Sequence, residues 1–531
     1  MGDVFKLTYS TMFDPPPALH ERFDDAIMTV RSYAGAEHSM LIGGHDVRAA
    51  LQFDVASPID RRMHLGRFQA GDATHASAAL AAARGAFDAW SSTPWRERVA
   101  MLRRAAALIE ERVYEIGAVL ALEVGKNRME ALGEAQETAD LIAYYCDRME
   151  ASDGYRVALA DDPLSGFSSA NASVLKPYGA WLVIAPFNFP LALAGGPSAA
   201  ALVAGNTVVL KTASATPWSG RLLALALRDA GVPPGAFNYV TGPGASLGEA
   251  LVEDERVAGL TFTGSYAVGM ELHRRFAAGR RARPCIAEMG GKNAAIVSRH
   301  ADLRDAAVGV MRSAFGLSGQ KCSACSRVYV EHTVFADFVA MLHAQTNKLS
   351  VGDPTRREHW MGPVIDAAAV ARFEDAVASV HALGEQGAIV AGGERLDRND
   401  LGHGHFVAPT IARAPLDHPL WTRELFVPFV LVAAVDSVDD GIAHANAGDY
   451  GLTAGFYGNA AETERFFETI EAGVAYANRP QGATTGAWPG YQAFGGWKGS
   501  GTTGKAAGSL YYLPQYLREQ SQTRVARAPE R

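Results

Sequence analysis

No charged residue occurs between Lys176 and Lys211, a run far longer than the ~20 apolar residues that span a bilayer. Its punctuation excludes a single membrane helix. Pro186, Asn188, Pro190, Gly195, Gly196, Pro197, Gly205 and Asn206 cut it into a buried strand over 180–185, a turn, a helix over 191–203 and a second strand over 207–210. Uncharged strands on both sides of a helix are what a parallel sheet covered on both faces requires. The run therefore commits the chain to an α/β fold. It also leaves one polar side chain, Asn188, in the turn directly after a buried strand.

The alternation continues downstream. Strands are expected at 237–240 and 259–262, with helices over 220–230, 246–253 and 267–278 between and after them, a βαβ series that argues a doubly wound sheet. Upstream, 75–90, 96–115 and 129–149 place apolar residues at i, i+3 and i+4 and read as covering helices. A second α/β pattern runs from 302 to 478, with helices over 303–315, 334–349 and 368–383 and strands at 328–330, 430–434 and 473–477. Residues 155–173 lose helical periodicity and read as a hairpin arm or loop outside the sheet. Residues 511–517 are aromatic and strand-like, and another subunit is expected to cover them.

With 531 residues, 48% hydrophobic and 20% charged, the chain has an ordinary globular composition and length for several domains. Lys and Arg number 49 against 57 Asp and Glu, and no dense basic run breaks the net charge of −8. Neither nucleic acid nor an anionic membrane is an expected partner. Cys146, Cys285, Cys322 and Cys325 are too few and too unevenly spaced for a secreted disulfide framework. The amino terminus carries charge early and lacks an apolar run, so a cytoplasmic location is expected.

Several residues could carry chemistry. Thr241-Gly242-Pro243-Gly244 with Gly248 follows an expected strand and opens a helix, but its glycine spacing is one residue longer than the usual dinucleotide fingerprint. Phe262-Thr263-Gly264-Ser265 stands at a similar junction, where backbone amides could meet a phosphate. Either could instead be a plain strand–helix turn. Cys322-Ser323-Ala324-Cys325 lacks the second ligand pair a zinc site needs, so no metal is expected. Its Gly-rich approach, residues 315–321, suits a single nucleophilic thiolate better than a core cysteine. Glu288, between Ala287 and Met289 and ahead of a Gly-Gly turn, is expected to have a raised pKa and to suit a general base; a salt-bridged glutamate is the alternative. Glu424, beside Leu425 and Phe426, reads locally as a surface or packing residue.

Together these pieces resemble the aldehyde dehydrogenase superfamily, from about residue 41 to 523. The resemblance rests on Ala185-Pro186-Phe187-Asn188-Phe189-Pro190, Phe262-Thr263-Gly264-Ser265, Glu288 before Gly290-Gly291-Lys292, and Gly319-Gln320-Lys321-Cys322, in the family's order. Within it, Gly319 to Arg327, Asn478-Arg479, Thr485-Gly486-Ala487 and Phe494-Gly495-Gly496-Trp497-Lys498 look like the 1-pyrroline-5-carboxylate (L-glutamate γ-semialdehyde) dehydrogenases.

The resemblance implies an aldehyde dehydrogenase fold. A doubly wound, Rossmann-like NAD(P)-binding domain would comprise residues 1–154 and 174–288, an α/β catalytic domain 289–496, and a small oligomerisation arm 155–173 and 505–523. It implies attack on an aldehyde by Cys322, an oxyanion held by Asn188 and the Cys322 backbone N–H, and thioester hydrolysis by water that Glu288 activates. NAD or NADP would be the cofactor. Lys211 would bind the adenosine ribose, Gly244, Phe262, Gly264 and Ser265 would lie along the dinucleotide, and Glu424 and Phe426 would hold the nicotinamide ribose. Ser214 stands where many NAD-preferring members have a glutamate, so a 2′-phosphate would not be repelled. Ser323, Gly486 and Ala487 would anchor a substrate α-carboxylate, and the protein would be a homo-oligomer. Another aldehyde or semialdehyde as substrate, or a catalytically silent homologue, are the competing readings.

Three positions depart from the family pattern: Thr212, Val427 and Ala493. Val427 replaces a glycine, and a β-branched residue does not take positive φ cheaply, so Glu424 or Phe426 is expected to shift.

Overall fold

Two seven-stranded sheets organise the computed structural model, which describes residues 7–8, 11, 15–480 and 488–527. The first sheet runs, from one edge, through Cys285–Glu288, Val257–Thr263, Ala180–Ile184, Thr207–Lys211 and Phe237–Val240, all parallel. The antiparallel pair Met40–Ile42 and His45–Val47 closes the other edge. The uncharged run supplies the two central strands and the helix Ala192–Ala204 between them, with every residue of Thr207–Lys211 buried. Gly205, at φ +98, ends that helix in the left-handed conformation a side chain would resist. The chain leaves the centre of the sheet first toward Phe237–Val240 and then returns to Val257–Thr263. Order reverses between Ala180–Ile184 and Val257–Thr263, and the carboxyl ends at such a switch point form a crevice for ligands.

The second sheet orders Ala388–Ala391, Thr410–Arg413, Phe429–Val435, Cys325–Glu331, Asn293–Val297, Thr453–Tyr457 and Val474–Ala477, parallel except for the first pair. A third, three-stranded antiparallel sheet joins Arg156–Leu159, Phe167–Pro177 and the carboxyl-terminal Leu517–Arg527. Among the described residues, no helix is long and apolar enough to cross a membrane.

Two local expectations are corrected. The helix read over 96–115 is two, Trp95–Glu111 and Val113–Val124, joined at Arg112. Nearly all of the second is buried, so it has no polar face to give it a readable period. The aromatic segment 511–517 is not a strand, and of its tyrosines Tyr511 alone is exposed, at 65%. Leu513–Tyr516 is a 3₁₀ turn, and Tyr512 and Tyr516 are buried against Tyr145 and Trp181 of the same chain. Their hydroxyls bond each other, and Tyr516 Oη also meets Thr261 Oγ1 at 3.0 Å. The aromatic rings serve the first sheet's own core, and the strand begins at Leu517.

His38 shows how burial couples this core to pH. Its ring stacks on Phe68 at 4.7 Å and lies 5.5 Å from Trp218, with Nε2 lacking a partner. Burial, then the nearby Arg221 charge, pull its pKa down to about 4. Between about pH 6.5 and 4 the unfolded chain takes up a proton that the folded chain refuses, so His38 removes stability as pH falls through that window. His38→Phe is expected to flatten the decline by roughly 2 kcal/mol, after allowance for the partial exposure of the ring. Thermal melts of both proteins from pH 7 to 4 test this; parallel Tm curves would exclude it.

Candidate active site

The carboxyl edge of the first sheet faces the amino ends of central strands in the second. Asn188 lies just beyond Ala180–Ile184 and is 3% exposed. Its Nδ2 donates to the Gln320 carbonyl at 2.9 Å, which leaves the amide a second N–H to offer beside the Cys322 loop. Glu288 ends its strand, and Cys322 lies three residues before Cys325–Glu331.

The Cys322 loop is held under strain. After helix Leu303–Phe315 the chain makes a turn in which Leu317, Ser318 and Gly319 take φ of +48, +54 and +69. Only Gly319 does so without steric cost, and a side chain there would strike the Val427 carbonyl. Side chains from distant parts of the chain over-determine this shape. Ser318 Oγ donates to Gly362 O at 2.7 Å, and buried Gln320 accepts Ile365 N–H at 2.8 Å. Lys321 pairs with Glu130 at 2.7 Å. Asn293 Nδ2 lies within bonding distance of both Cys322 O, at 2.7 Å, and Ala324 O, at 2.9 Å, while its Oδ1 accepts Thr453 N–H at 3.0 Å.

The thiol is half-buried and lines an apolar cavity with Phe189, Leu193, Trp488 and Phe494. Ser323 is on the same wall, and Glu137 is the one carboxylate among the described lining residues. Burial, followed by the Glu424 and Glu288 charges, pushes the Cys322 thiol up to about 12. Glu288 is itself pushed up to about 8 by burial, with Oε2 buried and unpartnered. The expectation of a raised pKa at this glutamate holds, and burial is the cause. Gly486 and Ala487 lie outside the described residues.

Glu424 is not a surface residue. Gly291 N–H donates to its Oε1 at 3.0 Å, and a side chain at Gly290 would strike its carboxylate. Burial raises its pKa, opposed by that N–H and by Lys292. The Val427 substitution does not place a β-branched residue at positive φ: the left-handed position is Phe426, at φ +59, and Val427 is buried. The Phe426 ring meets Phe187 edge-on at 5.8 Å.

Along the same edge the residues fit a dinucleotide. Helix Tyr266–Ala278 begins at Ser265 with no side-chain cap, so its first N–H groups, after Gly264, are free for an anion. Gly244 opens a π-helical turn, Gly244–Gly248, with open space where its Cβ would be. Lys211 is buried with its ammonium on Thr212 O at 3.0 Å, and burial lowers its pKa to about 8. Ser214 Oγ donates to Gly242 O at 3.3 Å. Phe262 is buried on its strand with its ring under Gly264.

Sequence reasoning missed the supports. Glu134 accepts the N–H groups of Leu191 and Ala192 at 2.8 and 3.1 Å and pairs with buried Lys126 at 2.5 Å, and the Lys126 ammonium lies 3.5 Å from the centre of the Phe189 ring. Nothing in the sequence links these residues to the turn after Ala180–Ile184.

Two doubly wound sheets that meet at a strained, thiol-bearing loop, with a phosphate-ready crevice beside it, define an aldehyde-acting oxidoreductase. Residues 47–521 match the model of the aldehyde dehydrogenase family, and the chain belongs to that family. It is 36% identical over 520 residues to a 1-pyrroline-5-carboxylate dehydrogenase of Geobacillus thermodenitrificans, covering 94% of this chain and 97% of that one. It is 37% identical over 500 residues to the protein of the same name from Bacillus cytotoxicus, covering 92% and 93%. Among solved structures, a 1-pyrroline-5-carboxylate dehydrogenase from Thermus with bound NAD superposes with a TM-score of 0.90 at 31% identity, covering 97% of this chain and 98% of that one.

Proposed function

We propose that the protein oxidises L-glutamate γ-semialdehyde, the open form of 1-pyrroline-5-carboxylate, to L-glutamate in proline and arginine catabolism, with NAD or NADP as acceptor. One observation carries the chemistry: Asn188, in the turn after one strand of the first sheet, and Glu288, at the end of another, converge on the strained Cys322 loop of the second. The similarity to 1-pyrroline-5-carboxylate dehydrogenases over more than nine-tenths of the chain supports the substrate.

On this reading the Cys322 thiol releases its proton to solvent as its sulfur adds to the aldehyde carbon, and the oxygen is received by the free Asn188 N–H and the Cys322 backbone N–H as it gains charge. A bound nicotinamide dinucleotide supplies the hydride acceptor. Loss of hydride from carbon leaves a thioester on Cys322. Glu288, more basic than an exposed glutamate, takes a proton from water as the water adds to the thioester, and the acid leaves with the thiol restored. Lys211, Ser214, Gly244, Phe262, Gly264 and Ser265 hold the dinucleotide, with Glu424 and Phe426 at its ribose near the thiol. Ser323, with Gly486 and Ala487, binds the substrate's α-carboxylate, and Glu137 supplies a counter-charge for its ammonium.

The domain division proposed is 1–154 and 174–288 for cofactor, 289–496 for catalysis, and 155–173 with 505–523 for the arm, in a cytoplasmic homo-oligomer. Exposed Val157, Leu159 and Phe167 on the arm support the assembly. Light scattering at micromolar concentration is expected to give a multiple of the chain mass; a monomer would refute it.

The test of function is steady-state turnover of the semialdehyde against unsubstituted aldehydes, each with NAD and with NADP. The semialdehyde is expected to lead by about 100-fold or more in kcat/KM, the worth of roughly 3 kcal/mol of anchoring. NADP is expected within about tenfold of NAD, because Ser214 adds no charge against a 2′-phosphate. Comparable turnover of simple aldehydes would remove the substrate assignment and leave the thiol chemistry standing.

A further inference from the structure

The opposite, amino-terminal edge of the first sheet carries a second cavity of about 690 Å³, within the range typical of small-molecule sites. It is bounded by the starts of Ala180–Ile184 and Val257–Thr263, by residues 279–284 ahead of Cys285–Glu288, by helix Ala73–Ser92 and by the first residues of Leu517–Arg527. It cannot be the dinucleotide crevice, which lies at the other end of the same strands. In a chain of net charge −8, its lining holds six arginines, Arg84, Arg256, Arg280, Arg281, Arg283 and Arg518, against two glutamates, Glu253 and Glu255.

These arginines divide into a fixed set and a free pair. Arg256 is tied to the Asp254 carboxylate, with Nε at 2.9 Å and a terminal nitrogen at 2.5 Å. Arg283 donates to Asp254 O and Val257 O and stacks on Phe276 at 4.1 Å. Arg518 lies over the Tyr178 ring at 5.6 Å, and Arg84 is 3.5 Å from Asp88. Among the described residues, no ion pair or hydrogen bond engages the guanidinium of Arg280 or Arg281. Like charges gathered in a concavity with apolar walls such as Phe87 and Tyr178 repel one another and focus a positive field. Guanidinium forks match phosphate oxygens in pairs.

We propose that this cavity binds a soluble, polyphosphate-bearing small molecule, held by the free forks of Arg280 and Arg281 against the fixed arginines behind them. The site is independent of the aldehyde chemistry, so its test does not depend on substrate identity.

The probe is inorganic tripolyphosphate, titrated calorimetrically into the full-length protein saturated with NAD, which keeps the catalytic crevice closed to it. One ion per chain is expected at tens of micromolar, with affinity falling as salt rises. R280A/R281A is expected to raise Kd at least tenfold while leaving aldehyde turnover unchanged, since neither side chain supports the fold. Absence of binding to the native protein, or binding undiminished in the double variant, overturns the proposal. So does sedimentation with anionic phospholipid vesicles in the absence of tripolyphosphate binding, which would assign the arginines to a membrane surface. A double variant that binds no ion because its oligomeric mass has changed would assign them to a contact between copies and would equally overturn it.

Discussion

Cys322→Ser is expected to lower kcat/KM by at least about 10⁴-fold while circular dichroism and dinucleotide binding stay at native values. The surroundings of residue 322 disfavour an anion in the protein without ligands: burial and two carboxylates outweigh the backbone N–H groups of residues 322 and 323 and hold even the thiol at about 12. A serine hydroxyl, intrinsically far less acidic and less nucleophilic, would have to lose its proton in the same site. The substitution removes only the reactive atom, because the loop is held through the Cys322 carbonyl and its neighbours, by Asn293, Gln320 and Lys321. A variant with more than about a hundredth of native turnover would remove Cys322 from the mechanism. The same geometry predicts that alkylation of the unliganded enzyme by iodoacetamide climbs with pH up to 9 without a plateau.

Glu288→Gln is expected to separate the two halves of the reaction. Thioester formation needs the thiol, the oxyanion donors and the hydride acceptor, whereas hydrolysis also needs a base for water. Rapid mixing should therefore show one reduced cofactor per chain in a burst, followed by a steady-state rate lowered about 10²- to 10⁴-fold. The pH profile gives an independent check. With its pKa raised to about 8, Glu288 is mostly protonated at pH 7, so the native hydrolytic rate should rise with pH and level off above about 8. Glutamine has no proton to lose, and the variant should lack that limb. Loss of the burst along with the steady state would place Glu288 before the thioester instead of after it.

The first sheet is legible in residues 177–210, because a strand buried on both faces has no choice but to be uncharged, and proline and glycine mark its ends. Glu288 is readable as a buried acid from its apolar neighbours and the Gly-Gly turn, and Cys322 from the glycines that precede it. Glu424 is not readable locally. Its side chain is buried only because the chain from 424 to 427 folds back over Gly290 and Gly291, more than a hundred residues away in sequence. Helix Val113–Val124 escapes for a related reason: a helix enclosed on all sides loses the periodicity by which helices are recognised. Tyr512 and Tyr516, near the carboxyl terminus, read as outward-facing in the sequence and point inward in the fold, since hydrophobicity shows that a surface must be covered and is silent on what covers it.

By itself, the sequence determined the fold class and the family and singled out the side chains proposed to react, because each is written in short-range pattern: strand hydrophobicity, turn glycines and the residues that flank them. Only the tertiary structure decided how those side chains are poised. The Asn188 bond to Gln320, the Asn293 clamp on the Cys322 loop, the Glu134 cap supported by Lys126, and the burial that raises Glu288 and Cys322 all join residues distant in the chain. Proton affinity and loop strain depend on what surrounds a group in space, and that is assigned when the two sheets close on one another.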